Sequence, residues 1–169
     1  MTHEQLIGKI ENILFAAGDS MAISELARIL GIPEAELEAA LEVEQERREA
    51  SYGLVFRRLE DRVQLATRSE YAHLLMDLFG SKSGEELTKA MLETLSIIAY
   101  KQPVTRGEIE ELRGVNTSYI LSALQERGLV TEAGRKEALG RPILYATSEE
   151  FLRHFGLNST KELPELPQE

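Results

Sequence analysis

The stretch from residue 90 to residue 147 contains an order of secondary structure that few folds share. Apolar side chains at helical spacing fill its start, and Thr105 can cap a short helix that ends at Gly114. A further helix and two short strands follow, with a loop between the strands that carries Arg135, Lys136 and Arg141. The predicted elements are a helix over 85–100, a short helix after Thr105, a helix over 116–127, and strands over 129–134 and 142–147.

The first half of the chain repeats this order. Leu65-Ala66-Thr67 matches Tyr145-Ala146-Thr147, and Tyr71 matches Phe151, both at an offset of 80 residues. The predicted elements are a helix over 3–16, a helix over 25–30 capped by Ser24, a helix over 34–50, strands over 54–60 and 62–67, and a closing helix from Ser69 to Phe79.

Three helices followed by a two-stranded ribbon is the order of a winged-helix domain. The sequence therefore predicts a mostly α protein with small β-hairpins, an α+β fold of two tandem winged-helix domains. These span 1–80 and 85–156, the glycine- and serine-rich residues 80–84 link them, and 157–169 form an extended, loosely held tail. The alternative to two copies of one domain is that the similarity between the halves is a chance coincidence between common helix caps.

Composition excludes several classes of protein. The chain has no cysteine, so disulfides and thiolate chemistry are absent. No apolar run approaches the roughly 20 residues of a membrane helix. No nucleotide-binding or hydrolase motif occurs, and the three histidines form no ligand pattern beyond Glu70 and His73, which we interpret as a surface pair. We expect no enzymatic activity, no cofactor and no metal; a metal-dependent enzyme is the weakest alternative.

Charge argues against a protein that reads duplex DNA. The net charge is −10; residues 1–80 hold 8 basic and 15 acidic residues, and residues 81–169 hold 11 and 14. The third helix of the first half is rich in glutamate, so its exposed face would repel phosphates. The arginines of both hairpins could support weak contact, but pairing with nearby acids is the interpretation we favour.

Apolar surface favours a protein partner. The helix over 85–100 is apolar on a wider face than one small domain covers, and the tail places leucines among prolines. The wide apolar face of this helix is explained equally well if it packs inside the protein.

The sequence resembles the segregation and condensation protein B (ScpB) family over essentially its whole length. The segments that carry the resemblance are Leu92–Arg106, Ile109–Asn116, Gly134–Lys136, Gly140–Tyr145 and Phe151–Pro164. The resemblance implies two winged-helix domains, no catalysis, and a homodimer formed mainly through the first domains.

It also implies a place in the bacterial SMC–kleisin complex that condenses and partitions chromosomes during the cell cycle and cell division. There the protein binds the central segment of the kleisin, segregation and condensation protein A, and reaches SMC through it. The implied location is the cytoplasm, at the nucleoid, with no membrane contact and weak or absent contact with DNA. The alternative is a winged-helix transcriptional regulator that binds DNA.

Individual residues can be assigned to these contacts only as hypotheses. The residues we assign to the kleisin are exposed apolar and aromatic positions of the second domain: Leu92, Ile97, Tyr100 and Tyr119. Those we assign to self-association lie in the first domain: Leu6, Ile10, Leu54 and Phe56. Packing in the core of a domain is at least as good an explanation for each position.

Overall fold

The computed structural model describes residues 2–51, 53–79 and 86–165. The chain divides into two compact units, Met1–Lys82 and Ser83–Glu169, and both are α+β. The predicted linker, residues 80–84, lies outside the described residues. None of the described helices is both long and apolar enough to cross a membrane.

The first unit combines four α-helices with a small antiparallel sheet. Its helices are α1 (His3–Ala17), α2 (Ile23–Leu30), α3 (Glu34–Ser51) and α4 (Ala72–Phe79), and its strands are β1 (Met21–Ala22), β2 (Leu54–Leu59) and β3 (Arg62–Thr67). A 3-10 turn, Ser69–Tyr71, precedes α4. The sheet order is β1-β3-β2, with Phe56 opposite Leu65.

The second unit has the same order of elements. Its helices are α5 (Lys89–Lys101), α6 (Arg106–Arg113), α7 (Ser118–Glu126) and α8 (Glu149–Phe155), and its strands are β4 (Val104–Thr105), β5 (Val130–Arg135) and β6 (Ile143–Thr147). The sheet order β4-β6-β5 matches that of the first unit. The repeated order of helices and strands predicted from the sequence is therefore present in the structure.

Each sheet has a third strand that the sequence-based prediction missed. Met21 pairs with Val63 in the first unit, and Val104 pairs with Tyr145 in the second. Strands of two residues are too short to show the alternation of apolar and polar side chains by which strands are recognised. Each two-stranded ribbon predicted from sequence is thus the central strand and one edge strand of a three-stranded sheet, and the missed strand forms the other edge.

The tail is the main correction to the predicted organisation. Residues 157–165 are packed against the second unit instead of being loosely held, and they contain a 3-10 turn, Thr160–Glu162. The Leu157 amide donates to the Leu152 carbonyl at 2.9 Å, and the Tyr100 hydroxyl donates to the Pro164 carbonyl at 2.6 Å. The described part of the tail is therefore an element of the second unit.

Candidate partner-binding surfaces

An apolar cleft of about 340 Å³ lies on the second unit, between α5, α8 and the tail. Its lining residues are mostly apolar or aromatic, namely Leu92, Leu95, Ser96, Ala99, Tyr100, Phe151, Phe155, Leu157, Leu163 and Pro164. Clefts of this size with few polar groups are typical of sites that receive apolar side chains of a ligand or partner.

The tail forms one wall of this cleft because several hydrogen bonds hold its shape. Asn158 uses its backbone and side-chain amides to donate to the Glu162 carboxylate, at 2.9 and 3.1 Å. Ser159 accepts the Lys161 amide at the start of the 3-10 turn. Tyr100 ties the end of the tail to α5 through its hydroxyl. The wall is thus preorganised, which lowers the entropic cost of binding at the cleft.

The four residues predicted to bind the kleisin fall in different places. Leu92 and Tyr100 line the cleft, and Leu92 is 41% exposed. Ile97 is half-buried and does not line it. Tyr119 is 84% exposed near the start of α7, also away from the lining. The structure therefore brings two of the four residues into one site.

Sequence reasoning pointed to the tail leucines as surface for a partner, but it missed that α8 and the tail form one cleft with α5. Phe155, Leu157 and Leu163 line it together with α5. Phe155 and Leu157 flank Gly156, the left-handed residue that ends α8 with φ of 72° and turns the chain back. An apolar residue on each side of a helix-ending glycine is the sequence signal that could have indicated this turn.

The residues predicted for self-association are mostly core residues. Leu6, Ile10 and Phe56 are buried in the hydrophobic core of the first unit, and Ile10 is 0% exposed. Their side chains leave no surface for a partner in this fold, which corrects the assignment made from sequence. Leu54, at 41% exposure, is the one residue of this set that a partner could reach.

A group of charges centred on the buried Arg48 joins α1, α3 and β2 of the first unit. Arg48 pairs with Glu11 of α1 and with Glu44 one turn earlier in α3, and its guanidinium lies 4.6 Å from the centre of the Phe56 ring. Burial alone would raise the pKa of Glu44. Hydrogen bonds from Arg48 and His3, with the charges of Arg48 and Arg47, outweigh burial and hold the pKa of Glu44 below its ordinary value of 4.5.

Arg58, Arg68 and Lys136 of the two hairpins each lie against a carboxylate. Arg58 lies 3.4 Å from the Glu38 carboxylate, Arg68 lies 3.0 Å from that of Glu70, and Lys136 lies 2.5 Å from that of Glu108. The hydrogen bond from Lys136 is the main reason that the pKa of Glu108 is lowered to about 2, with two further hydrogen bonds from Thr105. The contacts of Arg58 and Arg68 match the interpretation that hairpin arginines pair with nearby acids, whereas the Arg135 guanidinium donates to the Arg141 carbonyl.

The three histidines make contacts of different kinds. His3 lies 3.4 Å from the Glu44 carboxylate, the His73 ring contacts the Glu70 carbonyl, and the His154 ring packs edge-on against Phe155. Within the described ranges, no group of three or more histidine, cysteine or acidic residues could hold a metal ion.

The family described as "Segregation and condensation complex subunit ScpB" matches residues 8–166. The chain belongs to this family. Among its curated relatives, segregation and condensation protein B of Geobacillus kaustophilus is 45% identical, over 94% of this chain and 74% of the relative. The protein of the same name from Desulforamulus reducens is 43% identical, over 98% of this chain and 91% of that protein.

Two solved structures of ScpB proteins are also similar in sequence. The crystal structure of ScpB from Mycobacterium tuberculosis is 30% identical and covers 93% of this chain and 98% of that one, with a TM-score of 0.45. The crystal structure of a dimer of an ScpB N-terminal domain complexed with an ScpA peptide is 35% identical, covers 41% of this chain and 88% of that chain, and gives a TM-score of 0.38. Membership of the ScpB family follows from the sequence matches.

Proposed function

We propose that this chain is a non-enzymatic subunit of a bacterial SMC–kleisin complex that condenses and partitions chromosomes. Its second unit binds the central segment of the kleisin, and its first unit carries the contact between two copies. SMC is reached through the kleisin, and the protein works in the cytoplasm at the nucleoid. Family membership supports the complex, and the apolar cleft on the second unit supports the mode of binding.

The cleft is the single observation that carries the binding site. An apolar groove with a preorganised wall suits a protein segment that inserts leucine or aromatic side chains, since such anchors supply most of the energy of an interface. Leu92 and Tyr100 belong to it, and Phe155 and Leu163 extend it. Tyr119 is exposed on another face of the same unit, where it could extend the contact.

The contact between copies is assigned to exposed apolar side chains of the first unit. Leu54 remains from the sequence-based set, and Tyr71, Leu74 and Leu78 follow one another along the 3-10 turn and α4 with spacings of helical neighbours.

Each unit is, on this proposal, a winged-helix domain used for protein contacts. In a winged-helix protein that reads DNA, the third helix faces the major groove. Here α3 presents the exposed glutamates Glu36, Glu42 and Glu46, and α7 begins with Ser118 and Tyr119. Neither face supplies the cations that neutralise phosphates, so a DNA-binding regulator is the less favoured function.

Co-purification with the central segment of the kleisin from the same genome tests the proposal. We expect a stable complex whose mass shows the stoichiometry, and we expect Leu92→Ser and Phe155→Ser each to weaken it at least tenfold. Leu112→Ser on α6 is the control, because Leu112, at 58% exposure, is more exposed than Leu92 and Phe155 but lies outside the cleft. Equal losses for all three variants would remove the cleft from the binding site.

Titration with a random duplex separates the two functions. We expect weak binding by the chain alone at physiological salt. Tight binding with a steep dependence on salt concentration would favour the DNA-binding regulator instead.

A further inference from the structure

The end of the tail repeats one tripeptide. Glu162-Leu163-Pro164 is followed directly by Glu165-Leu166-Pro167. Leu163 of the first copy lines the apolar cleft of the second unit. Leu166 of the second copy lies outside the described residues. The sequence thus supplies a second leucine, with the same two neighbours, three residues after one that lines the cleft.

Proline restricts the backbone of the residue before it to the extended or polyproline II region. Leu163, which precedes Pro164, has φ of −60° and ψ of 137°, close to polyproline II values. The same restriction acts on Leu166, because it precedes Pro167. A polyproline II helix has three residues per turn, so residues three apart lie on one face, about 9 Å apart along the axis. Leucines at this spacing therefore share a face.

The cleft has apolar surface left for a further side chain. Leu92, Tyr100 and Phe155 line it, and each remains more than a third exposed. The hydroxyls of the lining are bonded within the unit, since Ser96 donates to the Leu92 carbonyl at 2.8 Å and Tyr100 donates to the Pro164 carbonyl. A side chain that enters gains free energy mainly from apolar contact. A leucine matches this chemistry, and a volume of about 340 Å³ admits it.

The tail keeps Leu166 close to the cleft. Pro164 is held at Tyr100, and Leu166 follows it two residues later. Two residues of extended chain span at most about 7 Å, so Leu166 stays within reach of the cleft edge. A group on a short tether has an effective concentration in the millimolar range, whereas a separate partner must be captured from solution. Even weak apolar contact of a tethered leucine is then populated in the free protein.

We propose that Leu166 occupies the cleft of its own chain in the free protein, and that the kleisin segment must displace it. The contact regulates the site that the proposed function assigns to the kleisin, and it rests on that assignment. The second tripeptide acts as an internal competitor, and the first remains part of the cleft wall. The apparent affinity for the partner is lowered in proportion to the fraction of molecules whose cleft is free. Leu163 and Leu166 therefore affect partner binding in opposite directions.

Substitution of each leucine tests this competition. We expect Leu166→Ser to tighten binding of the central kleisin segment by about threefold, the change for a cleft filled in about two thirds of the molecules. Leu163→Ser should weaken binding, because it removes part of the wall. Glu165→Gln is the control, since Glu165 is exposed between the two leucines, and it should leave the affinity unchanged. Calorimetric titration measures all three. An affinity of Leu166→Ser equal to or below that of the parent would overturn the proposal.

Cysteine pairs locate Leu166 without any partner, because the chain contains no cysteine of its own. Ser96 is an exposed residue of the cleft, about one helical turn before Tyr100. We expect protein with both Ser96→Cys and Leu166→Cys to form a disulfide within one chain on mild oxidation. Lys101→Cys with Leu166→Cys is the control, since Lys101 is exposed beside Tyr100 but does not line the cleft. A yield no higher than that of the control, or a disulfide formed only between chains, would overturn the proposal.

The two measurements together separate failure of this contact from failure of the proposed function. If the disulfide forms but neither the parent nor Leu166→Ser binds the kleisin segment, self-occupancy is supported, and both kleisin binding at the cleft and competition for it are overturned. If the parent binds the kleisin segment, Leu166→Ser binds it no tighter and the disulfide stays at the control level, the proposed function stands and Leu166 has no place in the cleft.

Discussion

The Arg48 guanidinium donates to the Glu44 carboxylate at 3.0 Å, and both side chains are almost wholly buried. The same guanidinium contacts Glu11 of α1 and the Leu54 carbonyl at the start of β2. One arginine thus connects α1, α3 and the sheet of the first unit. A buried charge of this kind is stable only while its partners are present.

Replacing Arg48 by methionine should destabilise the first unit. Glu44 would keep His3 and Arg47 as neighbours but lose its closest cation inside the fold. We expect a loss of about 3 kcal/mol in the free energy of unfolding, near the lower end for a broken buried pair. Urea denaturation of the variant and the parent measures it.

The double variant Arg48→Met, Glu44→Leu is the control for this mechanism. It removes the uncompensated carboxylate, so it should recover much of the lost stability. A double variant less stable than Arg48→Met would show that packing of the arginine stem, and not the unpaired charge of Glu44, causes the loss.

Acid should destabilise the protein partly through Glu44. Its pKa in the folded state lies below the ordinary value of 4.5, so the unfolded chain takes up this proton first as pH falls. The stabilisation is complete above pH 4.5 and is lost as pH falls through the folded pKa. Unfolding free energies at pH 6 and about pH 3.5 should differ less for Glu44→Gln than for the parent. An equal difference would mean that other carboxylates account for the loss.

Local signals in the sequence predicted helix ends well, and pairing between distant segments explains where they failed. The cap at Thr105 is present as predicted, because a cap involves only residues within one turn. Ser24 does not cap α2. The helix begins at Ile23, whose amide donates to the Asp61 carbonyl at 3.0 Å, a contact made possible by the pairing of β1 with β3.

The candidate site was likewise predicted only in part from the sequence. Periodicity identified Leu6 and Ile10 as apolar positions of α1, but it could not tell a face buried in the core from one exposed to a partner. Tyr100 and Leu92 were identified by their position on the apolar helix, and both lie at the cleft. The opposite wall is formed by the tail, which contacts α5 through the hydrogen bond of Tyr100 with Pro164, 64 residues apart, and no local pattern predicts that contact.

The start of α6 should depend on Thr105 and Glu108 acting together. Thr105 accepts the Glu108 amide, and the Glu108 carboxylate accepts both the amide and the hydroxyl of Thr105 at 2.8 Å. Glu108→Ala should lower the unfolding free energy by about 1 kcal/mol, the usual value for a lost cap. Glu108→Gln can still accept the Thr105 amide and loses only the charge for Lys136, so it should lose less. Thermal unfolding of both variants checks this order, and equal losses would assign the effect to the ion pair instead.

Tyr100 should hold the tail against α5 through its hydroxyl. Tyr100→Phe keeps the ring in the cleft and removes the hydrogen bond to the Pro164 carbonyl. We expect faster amide hydrogen exchange at Leu157 and Leu163, and a cost of about 1 kcal/mol or less for one exposed hydrogen bond. Tyr119→Phe is the control, since the Tyr119 ring is exposed on α7 and does not line the cleft. Unchanged exchange in Tyr100→Phe would show that the apolar contacts of Leu157 and Leu163 hold the tail without it. In that case Leu163→Ser should release the tail and weaken binding of the kleisin segment, because one wall of the cleft would be lost.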